Sequence, residues 1–379
     1  LFSRSRGGSW VWARHLPRPC QWEKIEIHRT GLSKKHTRWS ELQLLTYIIR
    51  RLLLLIPVLL GVSILAFVIM RAAGDPVTAY LQNPEKATDQ QINAIIKKYH
   101  LDEPGYVQYY YWLNGIVHGD WGISQVTKDP VTDTIAKKFP ATFELALVST
   151  LLAVTIGIAT GTRAAVRANS GFDQGTRVVS LVGVSIPVFW LGILLLALFY
   201  YQLGWAPEPG RIDKQFDSVW KPTNFLIIDS ILNLNWDMFV DVIRHLILPS
   251  ITLCFVSTAI IVRIMRSSML EVLGAEYIRT ARSKGLPERV VIRKHARRNA
   301  LIPTVTVVGL SFGGLLGGAI LTETIFLWPG LGQWSASAAL NLDTAGVMGF
   351  TILTAVIYVL ANLIVDITYA YLDPRVRLG

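Results

Sequence analysis

Two cysteines in 379 residues, Cys20 and Cys254, leave no material for a disulfide framework or a thiolate metal cluster. Charged side chains are scarce too, at 17% of the chain, which is too few to coat a soluble domain of this size. No G-x-x-x-x-G-K-[ST] string occurs, so the chain has no phosphate loop of that kind and cannot cradle ATP in that way. H-E-x-x-H and G-x-S-x-G are absent as well, which leaves an intramembrane enzyme without support and no residue to name as catalytic. His15, His28 and His36 lack metal-ligand spacing, and no metal site is expected.

What is present is apolar sequence. Hydrophobic residues make up 51% of the chain. They gather into six runs, at 52–70, 141–162, 178–201, 245–265, 301–321 and 347–369, each about long enough to cross a hydrocarbon core of roughly 30 Å. The first run is too long and too far from residue 1 to be a secretory leader, so it reads as an uncleaved span. The expectation is an all-α polytopic membrane protein with six transmembrane helices and a small extracytoplasmic domain. Residues 1–45 read as a basic cytosolic extension, whose Trp10, Trp12, Trp22 and Trp39 suit a membrane interface. Residues 46–71 hold the first span and 72–140 the extracytoplasmic domain. Residues 141–375 hold a five-helix core with an outer loop at 202–241 and a cytoplasmic loop at 267–300, and 376–379 form a short tail.

A net charge of +11 raises the question of nucleic acid. Its placement answers it: the bases cluster before the first span and between the fourth and fifth, where orientation rules put cytosolic segments. Lipid is therefore the expected partner and nucleic acid is not, with both termini in the cytosol of a multi-pass cell-membrane protein.

The densest basic interval is 271–303. Ile278, Ala281 and Gly285 recur there at helical spacing, with Arg279, Arg282 and Lys284 on other faces. Gly285 suits a left-handed helix end and Pro287 a fresh start, so a short helix, a turn and a second helix from about Glu288 are expected. A small-residue face with cationic flanks fits the docking of a soluble partner. This interval resembles the cytoplasmic coupling loop of ABC importer permeases, in the form of the dipeptide/oligopeptide/nickel permease family, at Glu276, Thr280, Ala281, Lys284, Gly285, His295, Arg298, Asn299 and Pro303. Arg279, Thr280 and Ala281 stand where the generic loop has Glu-Ala-Ala, a departure that is the peptide branch's own habit. The docking residues the resemblance implies are Glu276, Thr280, Ala281, Lys284, Gly285 and Leu286.

Other strings resemble the same family and its B-type subunit. They are Gly74-Asp75-Pro76, Gly119-Asp120-Trp121-Gly122, Pro140 to Leu145, Ser185 to Gly192, Leu203 to Pro207, His245 with Leu248 and Pro249, Gly317 to Gly332, and Asn362 to Asp366 with Asp373-Pro374-Arg375. A departure falls at Asn341-Leu342-Asp343-Thr344-Ala345, where the family often has N-R-D-Y-P, and the outer loop at 212–236 is longer than usual. The resemblance implies the permease fold of type I ABC importers and a heterodimer with a homologous second permease. It further implies two cytosolic ATPases that carry the ATP and Mg, and an extracytoplasmic binding protein, with peptides carried and oligosaccharides or nickel as alternatives. A secondary transporter is the rival class, since six spans and buried acids suit ion coupling; a docking loop for an ATPase is what such a carrier lacks.

Individual side chains carry narrower expectations. Pro187 breaks the third run in mid-membrane, which makes Ser185, Pro187 and Phe189 candidates for lining a pathway. Asp75 either caps the next helix or meets substrate at the outer mouth. Glu323 either faces the path or, the favoured reading, braces the turn at Trp328-Pro329-Gly330. Asp366 is expected to pair with Arg263, Arg266 or a neighbouring subunit's base. Gly157, Gly161, Gly183 and Gly192 allow helices to approach closely. Tyr109, Trp112 and Trp121 either pack at the interface, the favoured reading, or touch a delivery protein.

Overall fold

The computed structural model describes residues 49–372 apart from 51, 70, 73–76, 78–80, 82–86 and 318, with the side chains of 369–372 also outside it. The basic extension with its tryptophans, Asp75 and the Asp373-Pro374-Arg375 ending lie outside the described residues. Among the described residues, five helices are long and apolar enough to cross a membrane, and a bent pair makes a sixth if it counts as one span.

The first of these, α1 (Leu52–Ile69), is almost wholly exposed apart from Ser63 and Ala66. Ser63 Oγ shares a 2.8 Å hydrogen bond with Tyr109 Oη, and Phe67 stacks edge-on to the Tyr109 ring, 5.5 Å away. That ties α1 to α3 (Gly105–Val117), where Trp112 also packs on Phe67. Trp121 donates to the Ile116 carbonyl and packs beside Val131, Leu331 and Trp334. All three aromatics are therefore used in packing. Before them comes α2 (Asp89–Tyr99), closed at its start by a Thr88/Gln91 capping box, with Ile92, Ile95, Ile96 and Tyr99 on its less exposed face.

Helix α4 (Val131–Val166) starts ten residues earlier than the apolar run at 141–162 and continues through Pro140. It lies alongside α8 (Trp236–Leu273), which likewise overruns its expected bounds of 245–265. At 1.5 Å per residue α8 is about 57 Å long, nearly twice the hydrocarbon core, so its ends pack against protein outside the core. Hydropathy marks the lipid-facing portion of a helix; side-chain packing carries the helix further.

The α4–α8 seam depends on glycine. A methyl built on Gly157 would come 2.5 Å from Ile261 Cγ2, and one on Gly161 would come 2.9 Å from the Val262 carbonyl oxygen. With numbers rising together along both helices, the pair runs parallel. Gly183 approaches Ala259 of α8, and Gly192 approaches Thr252 of α8 and Phe326. All four glycines singled out by the sequence therefore sit at helix contacts.

The expected third span is two helices, α5 (Gly171–Ser185) and α6 (Val188–Leu196), the latter continuing through a π turn to Gln202. They meet at 98°. Proline at 187 has no N–H to continue the ladder and forces Ile186 into an extended conformation, with φ −78° and ψ 125°. The outer loop holds a short helix, α7 (Leu226–Leu232).

Past α8 come α9 (Glu276–Ser283) and α10 (Glu288–Leu316), whose first turns include a π segment at Val291–Ala296. Helix α10 stops at Gly317, so the expected end of the fifth span at 321 falls instead in the separate α11 (Ile320–Ile325). Helices α12 (Leu331–Leu340) and α13 (Thr344–Leu372) complete the bundle. Asp343 is fully buried between them: it accepts from Ser124 Oγ at 2.5 Å, Val126 N at 3.2 Å and Gly346 N at 2.9 Å. The departure at 341–345 thus keeps a carboxylate that caps α13 and ties it to the 122–130 turn.

Helix α13 runs antiparallel to α10 along a second small-residue seam, with Gly313 against Ala361 and Gly317 against Thr354. Its tightest point is Gly309, where an added methyl would come 1.8 Å from Val365 Cγ2. Gly309→Ala should destabilise the detergent-purified protein by about 1–3 kcal/mol, as overpacking does, read as a lower unfolding midpoint. Gly61→Ala, which meets nothing within 4 Å, should leave that midpoint unchanged.

Candidate functional site

The basic interval folds into an elbow between α8 and α10. Helix α9 has two apolar positions in register, and the structure turns both inward: Ile278 is 0% and Ala281 7% exposed. They join Ala165, Met265, Met269, Val291, Ala296 and Ala300 in one core cluster. Ala281, one of the expected docking residues, lies in this cluster, and the face it shares with Ile278 glues α9 to its own bundle. The opposite face is open, and along it lie Glu276, Tyr277, Arg279, Thr280, Lys284, Gly285 and Leu286.

Gly285 ends the elbow with φ +74° and its N–H bonded to the Arg282 carbonyl at 2.9 Å. An added Cβ would meet nothing there. The requirement is thus conformational, the left-handed geometry that costs an L-residue roughly 1–2 kcal/mol. Pro287 then opens α10, as its spacing predicts. Arg282 clamps the turn through two hydrogen bonds to Glu288, at 2.7 and 3.1 Å, and Asn299 Nδ2 donates to Tyr277 Oη at 2.9 Å. Arg279 pairs with Glu276 at 2.9 Å on the exposed side. His295 is half-buried, and Arg298 and Pro303 are exposed on α10.

The α5–α6 bend is the second feature. Ser185 donates back to the Leu181 carbonyl at 2.9 Å, and Phe189 and Trp190 are 44% and 48% exposed. Ser185, Pro187 and Phe189 line an apolar hollow of about 530 Å³ with Leu181, Val182, Ile186 and Trp190. Helices α5 and α8 are linked by an ion pair that sequence reading missed. Asp173, fully buried near the start of α5, takes a two-pronged hydrogen bond from Arg266 of α8, one prong being Nη2 to Oδ2 at 2.8 Å. It also accepts the Asn169 N–H at 2.9 Å, and Arg177 lies 3.7 Å away. Arg266 was expected among the partners of Asp366; its carboxylate is Asp173. Asp366 itself is half-buried on α13.

At the far end, Glu144 of α4 takes Arg211 Nη2 at 2.5 Å and the Ile227 N–H at 2.9 Å, which staples the long outer loop to the bundle. Glu323 is also fully buried there. Thr142 Oγ1 donates to it at 2.7 Å, Gln333 N donates at 2.9 Å, and Gly330 packs against it so closely that a Cβ would come 2.5 Å from Oε2. Its carboxylate thus holds the Trp328–Gly330 turn onto α4, where Trp328 Nε1 donates to the Ala141 carbonyl at 2.9 Å. Burial pushes the Glu323 carboxyl above the ordinary carboxylate range, against the pull of its hydrogen-bond donors and Lys138.

Over residues 153–378 the chain matches the family model for binding-protein-dependent transport system inner membrane components, and residues 44–146 match the model for the N-terminal part of such components. It is 44% identical over 336 residues to a di/tripeptide transport system permease protein of Pseudomonas aeruginosa, covering 88% of this chain and 99% of that protein. It is 43% identical over 326 residues to a probable D,D-dipeptide transport system permease protein of Escherichia coli, covering 86% and 95%. An oligopeptide transport system permease protein of Bacillus subtilis is 42% identical over 333 residues, 87% of this chain and 99% of that one. A solved inward-facing MetNI methionine ABC transporter chain aligns at 17% identity and TM-score 0.48, covering 64% of this chain and 97% of that one.

Replacing Glu323 by Ala should strand the Thr142 hydroxyl and the Gln333 N–H, at about 1–3 kcal/mol for each buried donor left unpaired, seen as a lower unfolding midpoint. Because the folded carboxyl titrates above the unfolded one, its contribution is present below the unfolded value and is lost as pH rises through the folded one. The gap between wild type and variant should therefore narrow as pH is raised through the folded value.

Proposed function

The chain belongs to the binding-protein-dependent transport system inner membrane component family, in its B-type dipeptide/oligopeptide permease branch, and from that premise we infer that it forms one membrane half of an ATP-driven peptide importer. The observation that carries the reading is the elbow: α9 is fixed to its own bundle by Ile278 and Ala281 while Tyr277, Arg279, Thr280, Lys284, Gly285 and Leu286 stay open. A helix glued on one face and bare on the other passes a push from a soluble partner into the membrane.

Two cytosolic ATPase subunits, which bind the ATP and Mg, supply that push. A homologous second permease completes the pathway as a heterodimer, and an extracytoplasmic binding protein delivers substrate. The basic end, with Arg163, Arg167, Arg177 and the elbow, faces the cytosol by the positive-inside rule. Force entering α9 reaches α8 and α10 through the shared core cluster, and α8 hands it to α5 through Arg266 and Asp173.

The bend is where that force acts on the pathway, lined by Ser185, Pro187 and Phe189. The last carbonyls of α5 and the first N–H groups of α6 lack intrahelical partners, and bare backbone of that kind is unstable against lipid tails. The bend therefore faces a watery path or the second subunit. Peptides are the substrate class, in keeping with the relatives' names.

The test uses the complex reconstituted in liposomes with its partner subunits. Arg279→Glu combined with Lys284→Glu reverses exposed charge on α9 and should cut ATP-driven dipeptide uptake roughly tenfold, the effect of losing about 1.4 kcal/mol of docking. The unfolding midpoint of the permease should stay where it is. Unchanged uptake and unchanged ATPase association in the double variant would remove the role assigned to α9; uptake of oligosaccharides or nickel in place of peptides would remove the substrate class alone.

A further inference from the structure

The outer loop crosses α8 at a group of side chains that none of the preceding chemistry uses. Asp241 and His245 lie four residues apart on one face of α8, and Asp213 comes from the loop above them. One ligand atom from each residue lies within 4.8 Å of the other two. His245 has a side chain only 2% exposed, and its Nδ1 is 2.9 Å from the Asp241 carbonyl oxygen. A carbonyl can only accept, so Nδ1 carries a proton, and in the neutral ring Nε2 is the nitrogen left to bind a cation.

Nε2 faces Asp213 Oδ1 at 3.6 Å, beyond hydrogen-bond length. Asp241 Oδ2 accepts the Asp213 N–H at 2.8 Å, which holds the two carboxylates together. Beside His245 lies a cavity of about 10 Å³, also lined by Glu208, Arg244 and Leu248, close to the room one water needs.

We propose that Asp213, Asp241 and His245 bind one first-row divalent cation, Zn²⁺ or a close relative, which pins the outer loop to α8. Two ligands each about 2.1 Å from a tetrahedral ion stand about 3.4 Å apart, close to the 3.6 Å between His245 Nε2 and Asp213 Oδ1. The backbone carbonyl on Nδ1 is the outer partner that fixes a ligating imidazole in register. One imidazole with two carboxylates favours a borderline ion over Mg²⁺ or Ca²⁺, which take oxygen alone. A water completes the fourth position of such an ion. Helix α8 lies beneath this loop and ends in the elbow, so the bound ion stiffens the outer end of the helix that carries force from the inner end.

The test is calorimetric titration of Zn²⁺ alone into the full chain, purified without a histidine tag, stripped with chelator and held in nanodiscs, with Mg²⁺ in a parallel arm. The expected result is one equivalent of Zn²⁺, a raised unfolding midpoint and no response to Mg²⁺. Asp213 is 47% exposed, so Asp213→Asn should fold with the wild-type midpoint in chelator yet bind Zn²⁺ at least roughly tenfold more weakly. His245→Gln should abolish the equivalent. No stoichiometric Zn²⁺ binding overturns the proposal. So does binding that survives both substitutions, which would place the ion on another histidine.

Discussion

The close approach of α4 and α8 is the constraint on which the rest of the molecule hangs. A bundle in lipid gains nothing from moving apolar side chains away from water, so contact between backbones has to supply the cohesion. Gly157 and Gly161 let α8 come close enough for Ile261 and Met265 to fill the space where side chains would otherwise stand. Once that seam is set, each end of the pair is finished by a charge placed on the neighbouring element. Glu144 reaches Arg211 at one end, and Arg266 reaches Asp173 at the other. Buried charges of this kind are tolerable only when paired and hydrogen-bonded, as both pairs are.

The seam also sets where α9 and α5 are held. Met265 and Met269 of α8 sit in the cluster that holds α9, while Arg266, on the turn between them, holds α5. One turn of one helix therefore grips both α9 and the helix that leads into the 98° bend. The Glu323 brace does the matching work at the opposite end, where it fixes the turn after α11 to Thr142 on α4.

Much of this was legible in the sequence, because local chemistry dictated it. Gly285 and Pro287 mark the elbow's turn by backbone preference alone, and Pro187 marks the break for the same reason. Small residues at helical spacing in 157–192 mark the seams. Other features were hidden. Arg266 and Asp173 stand 93 positions apart, and nothing in the spacing of either announces the other; Arg266 read as a base for Asp366 because both lie near the inner ends of spans. Ala281 read as a docking residue because a small side chain suits either side of a helix, and only the cluster around Met265 decides which. Asp213 lies 28 positions from Asp241, so no motif joins them, and their meeting depends on how a long loop folds over α8. Span boundaries were short for α4 and α8 because hydropathy reports contact with lipid and is silent about helix continued by protein contact.

The π segment at Val291–Ala296 carries one more consequence. A wide turn of that kind holds one residue more than a regular helix would, so the chain before it is out of phase with the chain after it. Removing a single residue there would let the ladder close regularly and would rotate everything upstream by about 100° about the α10 axis. Val291 and Ile278 would leave the interior together, and Tyr277 would lose Asn299. The orientation of α9 is thus recorded as a one-residue surplus in its neighbour.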